Sequence, residues 1–126
     1  MEELNELSYK IIGAAIEVHR ELGPGLLESV YEKALTYELR NLNIKVDNQV
    51  AKGIVYNEIE IPVAYKIDLL VENMIVVEIK SIDKLAPVHF SQALSYLKLS
   101  GLKLGLLINF NESILKNGIK RIVNNF

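Results

Sequence analysis

Hydrophobic residues recur at the spacing of one helix face over the first part of the chain. The positions that share this spacing are Leu4, Leu7, Ile11, Ala15, Val18 and Leu22. Because residues three and four apart lie on the same side of an α-helix, the pattern predicts an amphipathic helix over residues 3–22. The run Gly23-Pro24-Gly25 predicts its end. A second helix is predicted from about Leu26 to Asn41.

The middle of the chain changes to the alternation and the β-branched composition of strands. Three strands are predicted, over residues 44–56, 59–71 and 74–80. After the third strand, Pro87 suits the first turn of a further helix, which is predicted to run to about Ser100 and to be ended by Gly101.

The last part of the chain predicts a short buried strand over Leu104–Asn109 and a final helix over residues 112–124. The resulting order is ααβββαβα. The strands near residues 67–79 are apolar on both faces. We therefore predict one α/β domain over residues 1–126, in which helices cover both sides of a central β-sheet.

The segment from Lys66 to Lys80 predicts a hairpin whose loop length decides which side chains meet. A two-residue loop at 72–73 would place Asp68 and Glu78 on opposite faces, whereas a three-residue loop at 72–74 places them opposite each other on one face. The longer loop is favoured because it gathers six apolar residues on one face, namely Ile67, Leu69, Val71, Ile75, Val77 and Ile79. Asn73 tolerates the left-handed conformation that such loops use.

In this register Asp68, Glu78 and Lys80 lie side by side. Two carboxylates facing each other in a partly buried sheet repel, and a divalent cation would remove that repulsion. Oxygen ligands suit Mg²⁺ or Mn²⁺. An ordinary salt bridge from either acid to a lysine accounts for the same residues without a metal ion, and the spacing alone does not decide between the two.

Composition and charge indicate a globular domain and exclude several classes of protein. Apolar residues make up 50% and charged residues 24% of the 126 residues, which is typical of a globular domain. No apolar run approaches the roughly 18 residues of a membrane span, and the first residues are acidic where a secretory signal would be basic. We therefore expect a cytoplasmic protein that does not enter a membrane. The absence of Cys excludes disulfides, thiolate nucleophiles and Cys-ligated zinc.

The net charge of −2 is unevenly distributed. Residues 80–126 carry 7 Lys and Arg against 2 acidic residues, whereas residues 1–79 carry 7 against 14. A basic face built by the C-terminal third would suit a polyanion, and ordinary solvation of surface elements explains the same lysines without a partner.

Three motifs together resemble a known family. Asp68 followed by Glu78-Ile79-Lys80 on the next strand resembles the D…E-x-K core of the PD-(D/E)XK nuclease superfamily. The segment Gly25 to Tyr31 matches the G-x-x-E-x-x-Y signature of its small GxxExxY proteins, and Gln92 to Tyr96 resembles the Q-x-x-x-Y element of its exonuclease-like branches. Ile67 stands where the superfamily's name has Pro, a position that is often substituted.

The resemblance implies a restriction-endonuclease-like fold, with a mixed central sheet flanked by helices, and a Mg²⁺- or Mn²⁺-dependent nuclease. The catalytic residues it implies are Glu28, Asp68, Glu78, Lys80 and Gln92. The metal ligands would be Glu28, Asp68, Glu78 and the carbonyl of Ile79, and the substrate would be DNA or RNA.

Residues near the substrate are implied at Tyr31, His89 and Tyr96. His89, Gln92 and Tyr96 share one stripe of the predicted helix, opposite an apolar stripe that includes Ala93 and Leu97. Tyr31 shares a helix face with Glu28, either to hydrogen-bond it or only to pack, and Glu28 in a first helical turn also suits the helix dipole without any other role.

Two functions from different classes follow. The first is a metal-dependent hydrolase of phosphodiester bonds. The second is a non-catalytic module with a nuclease-like fold that binds nucleic acid or a protein partner, which the small size and the pI of about 5.7 favour. A homodimer is compatible with either function, although no sequence feature requires it.

Overall fold

Two helices open the chain, as their apolar periodicity predicts. The structure is a computed structural model that describes residues 1–124, so the last two residues of the predicted domain lie outside the described part. Helix α1 spans Glu2–Leu22 and helix α2 spans Glu28–Asn41. Helix α1 buries the middle of its predicted apolar face, from Leu7 to Val18, whereas Leu22 at its end is exposed. The end of the helix is set by Gly23, which has a φ of 70°. A positive φ is available to Gly without the Cβ clash of other residues.

The sheet has five strands in the spatial order β1-β2-β3-β4-β5. The strands are β1 (Val46–Tyr56), β2 (Ile59–Val71), β3 (Ile75–Lys80), β4 (Leu104–Asn109) and β5 (Ile119–Val123). Strands β3 and β4 are parallel, and the other neighbours are antiparallel. Parallel neighbours need a crossover connection, and helix α3 (Pro87–Ser100) provides it. The predicted mixed sheet is confirmed.

Both faces of the sheet are covered, also as predicted. One apolar cluster joins the sheet to α1 and α2, and it includes Ile11, Leu35 and Val77. A second cluster joins the other face to α3, and it includes Val76 and Leu97. Side chains on alternate positions of β3 therefore enter different clusters, which explains why this strand is apolar throughout.

The predicted last helix is wrong. Residues Leu115–Gly118 form one short 3₁₀ turn, and Ile119–Val123 form strand β5, which pairs with β4. The spacing of Leu115, Ile119 and Ile122 suggests a helix, but a helix there would leave the edge of β4 unpaired. Gly118 marks the change, because a Cβ at this position would contact the backbone oxygen of Asn109 on β4. Close approach of two backbones favours Gly.

No helix within residues 1–124 is long and apolar enough to cross a membrane.

Candidate active site

The hairpin between β2 and β3 has the predicted three-residue loop. Leu69 pairs with Val77 and Val71 with Ile75, which leaves residues 72–74 as the loop and places Asp68 opposite Glu78. Glu72 and Asn73 both have positive φ, and the Met74 N–H donates to the Val71 carbonyl at 2.9 Å. These are the features of a turn that matches the twist of antiparallel strands. The register on which the site prediction depends is therefore present.

The ladder between β2 and β3 stops where the two acids begin. The Asp68 N–H donates to Glu78 Oε2 at 2.9 Å, and the Ile79 N–H donates to Asp68 Oδ2 at 2.8 Å. Each carboxylate thus replaces a backbone carbonyl as the acceptor for the opposite strand. One oxygen of each acid is held by the backbone, which orients the second oxygen of each.

One detail of the predicted hairpin is wrong. Ile67 is buried with Tyr65, Leu70 and Val76 in the α3-side cluster, whereas its predicted neighbour Leu69 lies in the cluster on the other face. The simple alternation fails at Asp68, because here β2 leaves the β3 ladder. The strand is irregular on its other side too, since Gln49 of β1, opposite Asp68, has a φ of 48°.

The two acids differ in their burial, and this sets the electrostatics of the pair. Glu78 is only 3% exposed. Burial raises the pKa of the Glu78 carboxyl from 4.5 to about 8, and the charge of Asp68 adds to the rise. The hydrogen bond from Asp68 and the charge of Lys80 oppose it. Two carboxylates so close cannot both ionise cheaply without a nearby cation.

Helix α3 supplies the side of the site next to Lys80. Lys80 Nζ donates to Gln92 Oε1 at 3.4 Å, so two of the implied catalytic residues contact each other. The Tyr96 ring stacks on Tyr65 with centroids 4.9 Å apart. Burial raises the pKa of the Tyr96 hydroxyl, and the negative charges of Glu78 and Asp68 add to this. Tyr96 is therefore within electrostatic reach of the pair.

His89 has a defined structural partner. Its Nδ1 accepts a hydrogen bond from the Ala86 N–H at 2.8 Å, which satisfies one of the free N–H groups at the start of α3. With Nδ1 as the acceptor, the neutral ring carries its proton on Nε2. His89 thus stabilises the end of the helix that carries Gln92.

Glu28 lies beside the end of β3. Its Oε2 accepts a hydrogen bond from the Ser81 N–H at 3.2 Å, and Ser81 Oγ donates to the Leu26 carbonyl at 2.6 Å. The loop before α2 is thereby tied to the residue that follows Lys80. The Glu28 carboxylate, which lies at the start of α2, therefore contacts the backbone directly after β3, the strand that carries Glu78 and Lys80.

Tyr31 holds the backbone of the loop before α2 in place. Its ring is fully buried and stacks on Phe110 with centroids 4.5 Å apart. Its hydroxyl donates to the Gly23 carbonyl and accepts from the Leu26 N–H. Of the two predicted possibilities, packing rather than a hydrogen bond to Glu28 is found. A fully buried ring does not support the predicted contact of Tyr31 with a substrate.

The chain is similar to one known protein family over almost its whole length. A family model of the PD-(D/E)XK nuclease superfamily matches residues 5–122. This chain belongs to the PD-(D/E)XK nuclease superfamily. No curated protein and no solved structure matched the chain. Superfamily membership supports a nuclease-like function with nucleic acid as the substrate, and it agrees with the mixed sheet flanked by helices.

The superfamily's enzymes typically use divalent metal ions, and part of the predicted donor set suits such an ion. The Asp68 and Glu78 carboxylates are adjacent and supply only oxygen donors, as a hard cation requires; Glu78 is buried and Asp68 is half-buried. Within residues 1–124, however, no group of three or more acidic or His side chains is placed to hold one ion. The predicted convergence of Glu28 with the other two acids is therefore not found, and the fitting donors are a two-carboxylate pair.

Two residues that the sequence analysis missed border the pair. Gln49 Nε2 donates to Asp68 Oδ1 at 3.2 Å and to Glu32 Oε1 at 2.7 Å. The charge of Glu32 also contributes to the raised pKa of Glu78. Glu32 follows Glu28 by four residues, so the shared helix face was a usable signal. Gln49 carried no signal, because only the packing of β1 beside β2 brings it to Asp68.

Proposed function

We propose that this member of the superfamily is a Mg²⁺- or Mn²⁺-dependent nuclease that hydrolyses phosphodiester bonds. The observation that carries the proposal is the Asp68–Glu78 pair, held in place by reciprocal hydrogen bonds at the point where β2 and β3 separate. The pair lies at the carboxyl end of β3, which is parallel to β4. Ligand sites of α/β sheets commonly lie at the carboxyl ends of parallel strands.

Asp68, Glu78 and the Ile79 carbonyl would hold the cation. When bound, the cation would activate a water molecule and neutralise charge on the phosphate. The superfamily resemblance adds Glu28 to this set. Because the Glu28 carboxylate is hydrogen-bonded to the Ser81 N–H, it suits contact with the cation through a water molecule rather than direct coordination.

Lys80 would supply positive charge where negative charge develops on the phosphate. The Gln92 side-chain oxygen accepts a hydrogen bond from the Lys80 ammonium group and so restricts the position of that charge. Tyr96 on α3 lies within reach of the charges of Glu78 and Asp68, and the resemblance adds His89, which lies three residues before Gln92 on the same helix. With Glu28, these residues make up the remaining catalytic and substrate-binding roles that the resemblance implies, apart from the role of Tyr31, whose ring is buried.

The spacing Gly25, Glu28 and Tyr31 supports the finer assignment to the GxxExxY proteins. Gly25 lies in the loop before α2, and the other two residues lie on α2. The Tyr31 hydroxyl bonds the Gly23 and Leu26 backbone of this loop, and the Glu28 carboxylate accepts a hydrogen bond from the Ser81 N–H. A cytoplasmic location and a homodimer remain predictions. Analytical ultracentrifugation of the purified chain would test the second.

Cleavage of labelled DNA and RNA tests the activity. Asp68→Ala and Lys80→Ala should each reduce Mg²⁺-dependent cleavage at least about 100-fold, because the first removes a ligand of the cation and the second removes positive charge at the reacting phosphate. Lys120→Ala changes an exposed lysine on β5 and serves as the matched control. Circular dichroism checks that the variants fold. Cleavage by both site variants at the parent rate would refute the assignment.

Calorimetric titration with Mn²⁺ separates the proposal from the non-catalytic alternative. We expect binding to the parent and its loss in Glu78→Ala. Binding of nucleic acid without cation binding or cleavage would instead favour a module that uses the fold only to bind.

A further inference from the structure

A groove between α2 and β1 adjoins the carboxylate pair and is not used by the proposed chemistry. Its volume is about 410 Å³. The residues that line it include Glu32, Lys33, Thr36, Tyr37, Arg40 and Asn48. We propose that this α2–β1 groove binds one nucleotide of a single-stranded nucleic acid beside the bond that is cut. The inference rests on the proposed function, since it names the substrate class of the same site.

Hydrogen bonds connect the groove directly to the pair. Asn48 Nδ2 donates to Thr36 Oγ1 at 2.8 Å and to Glu32 Oε2 at 3.3 Å. The next residue, Gln49, donates from one amide nitrogen to both Glu32 and Asp68. The groove and the carboxylate pair thus have Glu32 and Gln49 between them, and a nucleic-acid strand bound at one would continue into the other.

The outer surface of the groove offers the groups that bind single strands. Lys33, Tyr37 and Arg40 lie at i, i+4 and i+7 on α2, which places them on one stripe. Tyr37 is 63% exposed. An exposed aromatic ring between two cations offers a stacking surface for a base and charges for the flanking phosphates.

Arg40 is already oriented. One of its terminal nitrogens donates to the Val46 carbonyl at 2.8 Å and to Asn48 Oδ1 at 3.3 Å. Its remaining N–H groups stay available for a phosphate. Among the ion pairs of the described residues, neither Lys33 nor Arg40 takes part. The acid in the lining, Glu32, is instead held by the amides of Asn48 and Gln49.

The dimensions favour a single strand over a duplex. The volume falls in the range of roughly 300–1,000 Å³ that accommodates a small molecule, which suits one nucleotide. In a duplex each base is covered on both faces by its neighbours, so Tyr37 could stack only on a base that has left the stack. We therefore expect a single strand or a frayed end to be bound in preference to a paired segment.

Binding is tested without catalysis, in EDTA, by fluorescence anisotropy of a labelled 12-nucleotide single strand and of its blunt duplex. Tyr37→Ala should weaken single-strand binding about tenfold, and Tyr37→Phe should restore it. Tyr9→Ala is the matched control, because Tyr9 is an exposed tyrosine on α1. A 2-aminopurine base in the strand should be quenched on binding to the parent and to Tyr37→Phe, but not to Tyr37→Ala.

The salt dependence tests the phosphate contact. Lys33→Gln should lower the slope of log affinity against log salt by about 0.7, the value for one phosphate of a single strand. Lys10→Gln, at an exposed position on α1, should leave the slope unchanged.

The groove proposal is overturned if the parent does not bind the single strand, if it binds the duplex equally well, or if Tyr37→Ala binds like the parent. The proposed function can fail separately. Binding that depends on Tyr37, together with no metal-dependent cleavage, would refute the nuclease while leaving the groove as a binding site.

Discussion

Replacing Glu78 by Gln should stabilise the protein in the absence of divalent ions, and the gain should grow with pH. Gln keeps an oxygen that can accept from the Asp68 N–H, and its amide can donate to the Asp68 carboxylate. What it removes is the cost of ionising a buried acid beside another acid. The pKa of Glu78 is about 8 in the folded chain and 4.5 as the ordinary value.

The magnitude follows from this difference. Between pH 4.5 and about 8 the folded chain binds a proton that the unfolded chain has lost, so the stability of the parent falls as the pH rises. A tenfold change in an ionisation constant corresponds to about 1.4 kcal/mol, so the total loss is at most about 5 kcal/mol above pH 8. Below pH 4.5 Glu78 is protonated in both states, and the loss disappears.

Urea denaturation in EDTA at pH 4, 6, 7 and 8.5 measures the effect. The unfolding free energy of Glu78→Gln minus that of the parent should rise across this series. Glu58→Gln, at an exposed position, is the matched control and should follow the parent. Adding Mg²⁺ at pH 8.5 should stabilise the parent but not Glu78→Gln. Parallel pH profiles for the parent and Glu78→Gln would refute the account of the buried pair.

Three further substitutions test the packing around the site. Tyr31→Phe should lower the unfolding free energy by about 1–2 kcal/mol, because the backbone groups of Gly23 and Leu26 lose their partner; an unchanged urea midpoint would contradict this. Gly118→Ala should cost about 1–3 kcal/mol, because the added Cβ would lie 2.8 Å from Glu112 Cγ and against the Asn109 backbone. Gly13→Ala, with no atom within 4 Å of the new Cβ, should instead stabilise α1 by about 0.5–1 kcal/mol, and equal effects at the two glycines would show that the contacts are not decisive.

Much of the site could be predicted from the sequence because it depends on one hairpin. Alternation along β2 and β3 and the length of their loop are local properties, and together they place Asp68 opposite Glu78. The neighbours on α3 follow from helical spacing in the same way. Ile67 shows the limit of this reasoning, because the alternation assumes a regular ladder and the two carboxylates interrupt it.

The C-terminal segment was not predictable in this way. Leu115, Ile119 and Ile122 suit either a helix or a strand with local irregularity, and their spacing does not reveal that the edge of β4 is open. The pairing partner decides the structure here, because backbone groups at that edge need hydrogen bonds. Glu28 was likewise placed by its motif near the acids, but its carboxylate is held by Ser81.

Helices α1 to α3, the first four strands and the hairpin register could be inferred from the amino-acid pattern, because they depend on the period of apolar side chains and on a short loop. Three features depend on the packing of distant segments: Gln49 bridges Glu32 and Asp68, the Tyr31 ring is buried under the loop before α2, and a groove opens beside the pair. These contacts join segments far apart in the chain, and their formation depends on how helices and strands pack rather than on any local preference.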